Sequence, residues 1–363
     1  MSLSKRCYTS RETRHDLNDS DGILQVFGRE VLSRTPRQRS RLIDGALSYW
    51  RSRGFPYPEL SRKEQEQEFR HLERVRAVDV IQGRDIKTST LGLRLANYFH
   101  PQIWSIPARR HLHSPLDHFW DRETLIKLLD RAARFWPDRR CWNAQCLRSV
   151  LRIYAGGRVS NFRPTAARAI ISKYSKRGET VLDFSAGFGG RLLGCLTLQR
   201  RFLAIDPAEA QIWGLRKMVT ALHRYTNTEV EIFHGCAEDL MPKFYPSSVD
   251  LVFSSPPYFD VEKYSPEETQ SYRRYPSYKV WKEQFLCAVI SASQRILRRG
   301  GHLIINVADT QRHAIEKDIE GMVGALLRKR HVLKLMMHSR PLQRSAGADP
   351  YRWEPVLVFR KLS

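Results

Sequence analysis

From Asn161 onward the apolar positions follow two alternating rhythms. Short apolar runs at Thr180–Phe184, Phe202–Ile205, Val230–His234, Leu251–Phe253 and His302–Val307 have the length and density of strands buried on both faces. Between most of them apolar residues return every three or four positions, as in Gln211–His223 and Val280–Leu297. In the latter, Trp281, Phe285, Ala288, Val289, Ala292 and Ile296 share one helical face. Pro164–Tyr174 reads as a helix with proline at its first position. A further helix (Ile315–Leu327) and two strands (His331–His338 and Glu354–Arg360) complete the pattern, the last two as a hairpin that adds an antiparallel strand. Strands alternating with helices predict an α/β fold with a mostly parallel sheet covered on both faces.

The chain up to about Val159 has a different texture. Arg37–Arg51 carries a stripe of Leu42, Ile43, Ala46, Leu47 and Trp50, and the prolines of Gly54–Pro58 stop it. Glu64–Val80 reads as a charged helix, and Asp121–Phe135 as an amphipathic one with Leu125, Leu128, Leu129 and Ala132 on one face. Two parts are therefore expected: a mainly helical, basic region over residues 1–150 and an α/β domain over 151–363. Asn97–Trp120 mixes aromatics with His and Arg (Tyr98, Phe99, Trp104, Arg109, Arg110, His111, His113). Such a mixture suits a surface that stacks bases and neutralises phosphates, or an irregular segment packed on a neighbouring domain.

Charge narrows the partners. Lys and Arg number 61 against 38 Asp and Glu, a net of +23. Residues 1–160 hold 30 Lys/Arg and 18 Asp/Glu, or +12, and the remainder carries +11, so the basicity is no detachable tail. A folded chain this basic is expected to meet a polyanion such as nucleic acid. No apolar run is long enough to span a bilayer, and Met1–Thr9 lacks a signal-peptide core, so an intracellular, cytoplasmic setting is expected. The six cysteines include Cys7, Cys141 and Cys146 but no C-x-x-C pair, and no metal site is expected.

Two stretches carry chemistry. The first apolar strand ends in Asp183-Phe-Ser-Ala186-Gly187-Phe-Gly189-Gly-Arg, a turn whose glycines let backbone approach a ligand. Arg191 falls where a dinucleotide fingerprint would place its third glycine. Asp206, 19 positions after Gly187 at the end of the next strand, is placed to accept both ribose hydroxyls of an adenosine. Asp183 suits a methionine ammonium and would repel a pyrophosphate. The second stretch, Val249–Tyr258, runs an apolar strand into Ser254-Ser255-Pro256-Pro257-Tyr258. The prolines end the ladder in a rigid extended turn. Ser255 Oγ and the Pro256 carbonyl are then two acceptors for the N–H groups of an exocyclic amine, and Tyr258 is a ring on which a flipped base can stack.

Together these residues resemble the DNA amino-methyltransferase family, which modifies N6 of adenine or N4 of cytosine. Ser-Pro-Pro-Tyr at 255–258 is similar to the family's catalytic tetrapeptide in its N4-cytosine form, and Asp183, Ala186, Gly187 and Gly189 match its glycine loop. Asn161-Phe162-Arg163-Pro164-Thr165 resembles the segment that covers the methionine end of the cofactor. The motif order resembles the family's gamma arrangement. The resemblance implies a class I methyltransferase (Rossmann-like) fold with a seven-stranded sheet and a C-terminal antiparallel hairpin strand. It implies S-adenosyl-L-methionine held by Phe162, Pro164, Thr165, Asp183, Ala186, Gly187, Gly189, Asp206, Cys236 and Ser254, with catalysis by Ser255, Pro256, Pro257 and Tyr258. Cys236 stands where the family places a polar contact to the adenine amino group. The implied reaction is N4-cytosine methylation of DNA, of the restriction-modification kind. Adenine N6, an RNA amino group, and a non-catalytic nucleic-acid-binding role stay open. Lys263, Tyr264, Tyr272, Arg273 and Arg274 are candidates for a loop over the base, or a solvated loop.

Overall fold

Parallel strands can be apolar along their whole length only if both faces of the sheet are covered, and the strands here obey this. In the computed structural model, which describes residues 22–87, 89–108, 113–154, 159–261, 263–323, 327–338 and 351–362, all four residues of the central strand Thr180–Asp183 are buried. The strands are β1 (Ile81–Gln82), β2 (Asp85–Ile86), β3 (Thr180–Asp183), β4 (Arg201–Asp206), β5 (Val230–His234), β6 (Val249–Ser254), β7 (Leu297–Asn306), β8 (Leu327–His338) and β9 (Tyr351–Lys361). They form one sheet in the order β1-β2-β8-β9-β7-β6-β3-β4-β5. Strands β3 to β7 run parallel to one another, and β9 is antiparallel to both β7 and β8. This is the expected class I methyltransferase architecture, a mostly parallel sheet with an antiparallel hairpin strand.

Successive residues of one strand face opposite layers. Val181, Phe202, Leu251 and Ile304 join the core that includes Phe69, Leu95, Ile170 and Leu193. Leu182, Leu203, Val252 and Leu303 face the other, with Trp281, Phe285 and Val289. The helix carrying those last residues includes a π-helical turn at Lys282–Leu286.

The sheet has two more strands than expected. β1 and β2 come from residues assigned to the helical region, and β2 pairs in parallel with β8. Two-residue strands are too short to show a period, and the Glu64–Val80 helical pattern hides a break: one helix ends at Glu73 and a second spans Ala77–Val80. Compact units also divide the chain differently from a single boundary near residue 150. One comprises the described parts of Met1–Pro56 and Asp117–Ala155, the other those of Tyr57–Leu116 and Gly156–Ser363.

The first unit is helical. Thr35 and Gln38 form a capping box at the start of Pro36–Arg53, whose Ile43, Ala46, Leu47 and Trp50 are buried. Trp50 Nε1 donates to the Trp142 carbonyl at 3.0 Å and Trp142 Nε1 to that of Leu129 at 3.0 Å, so neither buried indole is left unpaired. In the second unit Phe99, His100, Ile103 and Trp104 are buried, so these residues of the Asn97–Trp120 mixture do not form an exposed base-stacking surface. Burial holds His100 down at about 3. Cys7, Arg109, Arg110 and His111 lie outside the described residues. Among the described residues no helix is long and apolar enough to cross a membrane.

Two helices of the second unit, Pro164–Tyr174 and Gly190–Leu196, meet through glycine. A Cβ on Gly194 would lie 2.7 Å from the Arg168 amide nitrogen and 2.8 Å from Ala167 Cβ, and Gly321 has nothing within 4 Å. Gly194→Val is expected to lower stability by about 1–3 kcal/mol by forcing these helices apart. Gly321→Ala, within Ile315–Met322, is expected to be neutral or to raise the melting temperature slightly. Thermal denaturation followed by circular dichroism checks both, and equal melting temperatures for the two variants would remove the close-packing argument.

Candidate active site

Four polar side chains stand at the carboxyl ends of adjacent strands β7, β6, β3 and β4: Asn306, Ser254, Asp183 and Asp206. Parallel strands bring such ends to one edge, where ligands of open α/β sheets bind.

The glycine loop is built by positive φ angles. Gly187 (φ 55°) and Gly189 (φ 71°) occupy the left-handed region. A Cβ on Gly189 would lie 2.8 Å from Met218 Cε, whereas one on Gly187 would meet nothing closer than 3.8 Å. Gly189 is therefore glycine for packing, and Gly187 leaves open space beside the loop. The Gly187 N–H donates to Asp206 Oδ2 at 2.8 Å and the Ala208 N–H to Oδ1 at 3.0 Å. Burial nevertheless pushes the Asp206 carboxyl up to about 6; those two bonds oppose the rise, and the nearby carboxylates of Asp183 and Glu267 add to it.

Segment 160–165 is laid against the loop. A Cβ on Gly190 would lie 2.1 Å from the Phe162 carbonyl oxygen, and Asn161 Nδ2 donates to the Phe188 carbonyl at 2.9 Å. Asn161 and Gly190 thus fix where Phe162 lies.

Asp183 is fully buried. Its carboxylate accepts from Arg191 Nε at 2.6 Å, Ser254 Oγ at 2.7 Å and the Ser185 N–H at 3.2 Å. The sequence reading set this carboxylate against a methionine ammonium. In the structure its oxygens serve Arg191, Ser254 and the loop backbone, and Asp183 does not line the cleft.

Beyond β6 the Ser255–Tyr258 segment has no regular secondary structure, and none of its peptide bonds is cis. Ser255 Oγ donates to Asn306 Oδ1 at 3.4 Å, and Asn306 Nδ2 donates to the Pro355 carbonyl of β9 at 3.1 Å. Phe259, next along, holds a left-handed φ of 59° that a non-glycine residue adopts only under constraint. Its ring is buried among Tyr278, Trp281 and His313.

These parts enclose a cleft of about 1300 Å³, measured out to solvent. Of the sequence-predicted site residues, Phe162, Ala186, Gly187, Asp206, Cys236, Ser255, Pro256, Pro257 and Tyr258 line it. Pro164, Thr165, Asp183, Gly189 and Ser254 lie outside the lining; Thr165 Oγ1 accepts from the Ser89 N–H at 3.4 Å. Cys236 Sγ donates to the Thr269 carbonyl at 3.4 Å, and burial raises its thiol above the ordinary range. Glu238, also in the lining, accepts from the Tyr275 hydroxyl at 2.9 Å and pairs with Arg274 at 2.7 Å; burial raises its carboxyl. Among the loop candidates, Tyr264 lines the cleft, Tyr272 donates to the Ser265 carbonyl at 2.9 Å, and Arg273 pairs with Glu268. Arg191, Phe285, Glu238 and Asn306 are lining residues that motif reading passes over. Two carried a signal: Arg191 is a charge in an otherwise apolar first helical turn, and Asn306 a polar residue ending an apolar strand.

No protein-family model matches the sequence, and no curated protein sequence matches it either. Similar solved structures include TrmN from Thermus thermophilus, 17% identical, covering 55% of this chain and 49% of that one, with a TM-score of 0.39. Another is a SAM-dependent methyltransferase from Methanosarcina mazei (15% identical, 53% and 97% covered, TM-score 0.38). A third is an rRNA methylase from Streptococcus thermophilus (12% identical, 56% and 100% covered, TM-score 0.36). The chain matches about half the length of the Thermus protein. Likenesses this partial assign it no substrate, activity or partner.

Proposed function

We propose that the cleft binds S-adenosylmethionine and directs its methyl group to the exocyclic amino nitrogen of a nucleic-acid base, N4 of cytosine in DNA being the preferred target. The observation that carries this reading is the Ser255–Asn306 hydrogen bond. Asn306 spends its amide N–H on Pro355, so its Oδ1 is left to accept and Ser255 must donate its hydroxyl hydrogen. Ser255 Oγ then meets any other partner as an acceptor. That is what an amino group with two N–H donors requires, and the Pro256 carbonyl supplies the second acceptor.

The rest of the cleft fits the same reading. Asp206, a carboxylate at the strand end beside the open Gly187, suits ribose hydroxyls, with the adenine toward Cys236 and Ala237. Phe162 covers the other side of the glycine loop. The bound cofactor supplies an electrophilic methyl on a sulfonium. The amino lone pair is delocalised into the ring; two acceptors that pull on its N–H bonds favour the tetrahedral nitrogen that can attack. With the two N–H groups held by Ser255 Oγ and the Pro256 carbonyl, the nitrogen would take the methyl that the sulfonium releases and would give up one proton to water. Tyr258 and Phe285 offer aromatic faces for the base. Neither a metal nor a covalent nucleophile is needed, because positioning and fixed dipoles lower the barrier. The +23 net charge supports a polyanionic substrate.

Incubation with methyl-labelled S-adenosylmethionine and either duplex DNA or total RNA, followed by nucleoside mass spectrometry, tests the proposal. N4-methylcytosine from DNA is the expected product. Ser255→Ala and Tyr258→Ala are expected to lower the rate about 10²–10³-fold. Label at adenine N6, or only in RNA, would reassign the substrate within the same chemistry, and no label on either polymer would count against it.

The raised Asp206 carboxyl gives a second prediction. A ribose hydroxyl donates, so the ionised carboxylate is the binding form. In the free protein that form predominates only above about pH 6 and is lost as pH falls through about 6. S-adenosylhomocysteine is expected to bind about tenfold more weakly at pH 5 than at pH 7.5, and Asp206→Asn is expected to flatten the dependence. Calorimetry at several pH values checks this, and a flat wild-type profile would contradict it.

A further inference from the structure

Arg191 is a charged lining residue of the cleft to which the reading above gives no role. It is 5% exposed, and its guanidinium lies over the Phe162 ring (5.3 Å) and near the Phe253 ring (6.0 Å). Nε donates to Asp183 Oδ2, and Nη2 donates to Asp183 Oδ1 at 3.3 Å and to the Ser185 carbonyl. A guanidinium has five N–H donors, and these three bonds use Nε and Nη2. The two N–H groups of Nη1 have no bond to a described residue. Arg191 also belongs to the lining of the cleft, on the side of the glycine loop covered by Phe162. Arg191 is a buried residue that lines the cleft, and guanidinium N–H groups without a bond in such surroundings are costly unless water or a ligand satisfies them.

We infer that Arg191 is the receptor for the α-carboxylate of the cofactor's amino-acid tail, accepted by the two N–H groups of Nη1. The inference rests on S-adenosylmethionine being the ligand. Asp183 then has a role one step removed: its charge and geometry fix the guanidinium, and Phe162 and Phe253 confine its plane. The buried pair is neutral as a unit, so an anionic carboxylate meets a rigid fork without an uncompensated charge left behind when the site is empty. An acidic residue facing the ammonium directly, as the glycine-loop motif alone suggests, is replaced by an acid–base pair facing the carboxylate.

Decarboxylated S-adenosylmethionine, which keeps the sulfonium and ammonium and lacks only the carboxylate, isolates this contact. Calorimetry on the full chain should show S-adenosylmethionine binding at least about tenfold more tightly than the decarboxylated compound, the size of a charge-assisted hydrogen bond. Arg191→Met alone would strand the buried Asp183 charge and destabilise the fold, so the neutral pair Arg191→Met/Asp183→Asn is the informative variant, with its fold checked by circular dichroism. In it the two compounds should bind within about twofold of each other, through loss of affinity for S-adenosylmethionine only. Arg191→Lys should retain part of the preference. A wild-type protein that does not distinguish the compounds overturns the inference without any variant, and so does a preference that survives in the double variant. An equal loss for both compounds makes Arg191 a purely structural residue and overturns it too. Binding of neither compound to the wild type defeats the cofactor reading itself, a result distinct from the other three.

Discussion

The fully buried Asp183 carboxylate is the constraint on which the site geometry depends. It is bonded at once to the helix after the glycine loop (Arg191), to the end of β6 (Ser254) and to the loop backbone (the Ser185 N–H). An ionised group in an apolar interior costs several kcal/mol unless it is paired and hydrogen-bonded. These partners are therefore not free to drift: each is held by the penalty of leaving the charge unsatisfied. Fixing Ser254 sets the exit of β6, and with it the start of the Ser255–Tyr258 turn. Fixing Arg191 sets the first turn of the Gly190–Leu196 helix, against which Phe162 is laid. One carboxylate thus aligns the glycine loop with the tetrapeptide.

Hydrogen-bond direction then propagates across the sheet edge. Pro355 on β9 is held in the ladder beside Asn306, and its carbonyl takes the Asn306 amide hydrogen. That leaves Asn306 only as an acceptor for Ser255. The antiparallel hairpin strand, which looks peripheral in topology, therefore decides which way a hydroxyl points two strands away. Phe259 completes the turn from the other side, its left-handed backbone kept in place by the aromatic packing of Tyr278, Trp281 and His313.

How much of this could be read from the residues depends on the kind of information involved. Periodicity located Pro164–Tyr174 and Val230–His234 to the residue, because proline at a helix start and an apolar run between polar turns are local signals. It could not show β1 and β2, whose two residues carry no period, nor the break after Glu73 in a stretch that stays charged throughout. Within the site, motif spacing found nine residues that do line the cleft. It placed Asp183 among ligand contacts because an acid ending the first strand points the right way. Whether such an acid faces ligand or protein depends on a cation eight residues later, and the Asp183–Arg191 pairing is visible only once the helix folds back. Asn306 is a similar case: its importance lies in a carbonyl on β9, some fifty residues away in the chain.

Charge is handled differently at two scales. The chain as a whole is strongly basic, while the cleft lining mixes Asp206, Glu238 and Glu354 with Arg163 and Arg191, Glu238 being paired with Arg274 and Arg191 with Asp183. A long-range positive field favours approach of a polyanion, and it decays within about a Debye length in physiological salt. Inside the cleft, where screening is weak, neighbouring charges act on one another more strongly. Burial is the main cause that raises Asp206 and Glu238; the carboxylates of Asp183 and Glu267 add to it for Asp206, and that of Asp239 adds to it for Glu238. The basicity is thus spread over the whole sequence, whereas the carboxylates of the cleft are set one by one by burial and their immediate partners.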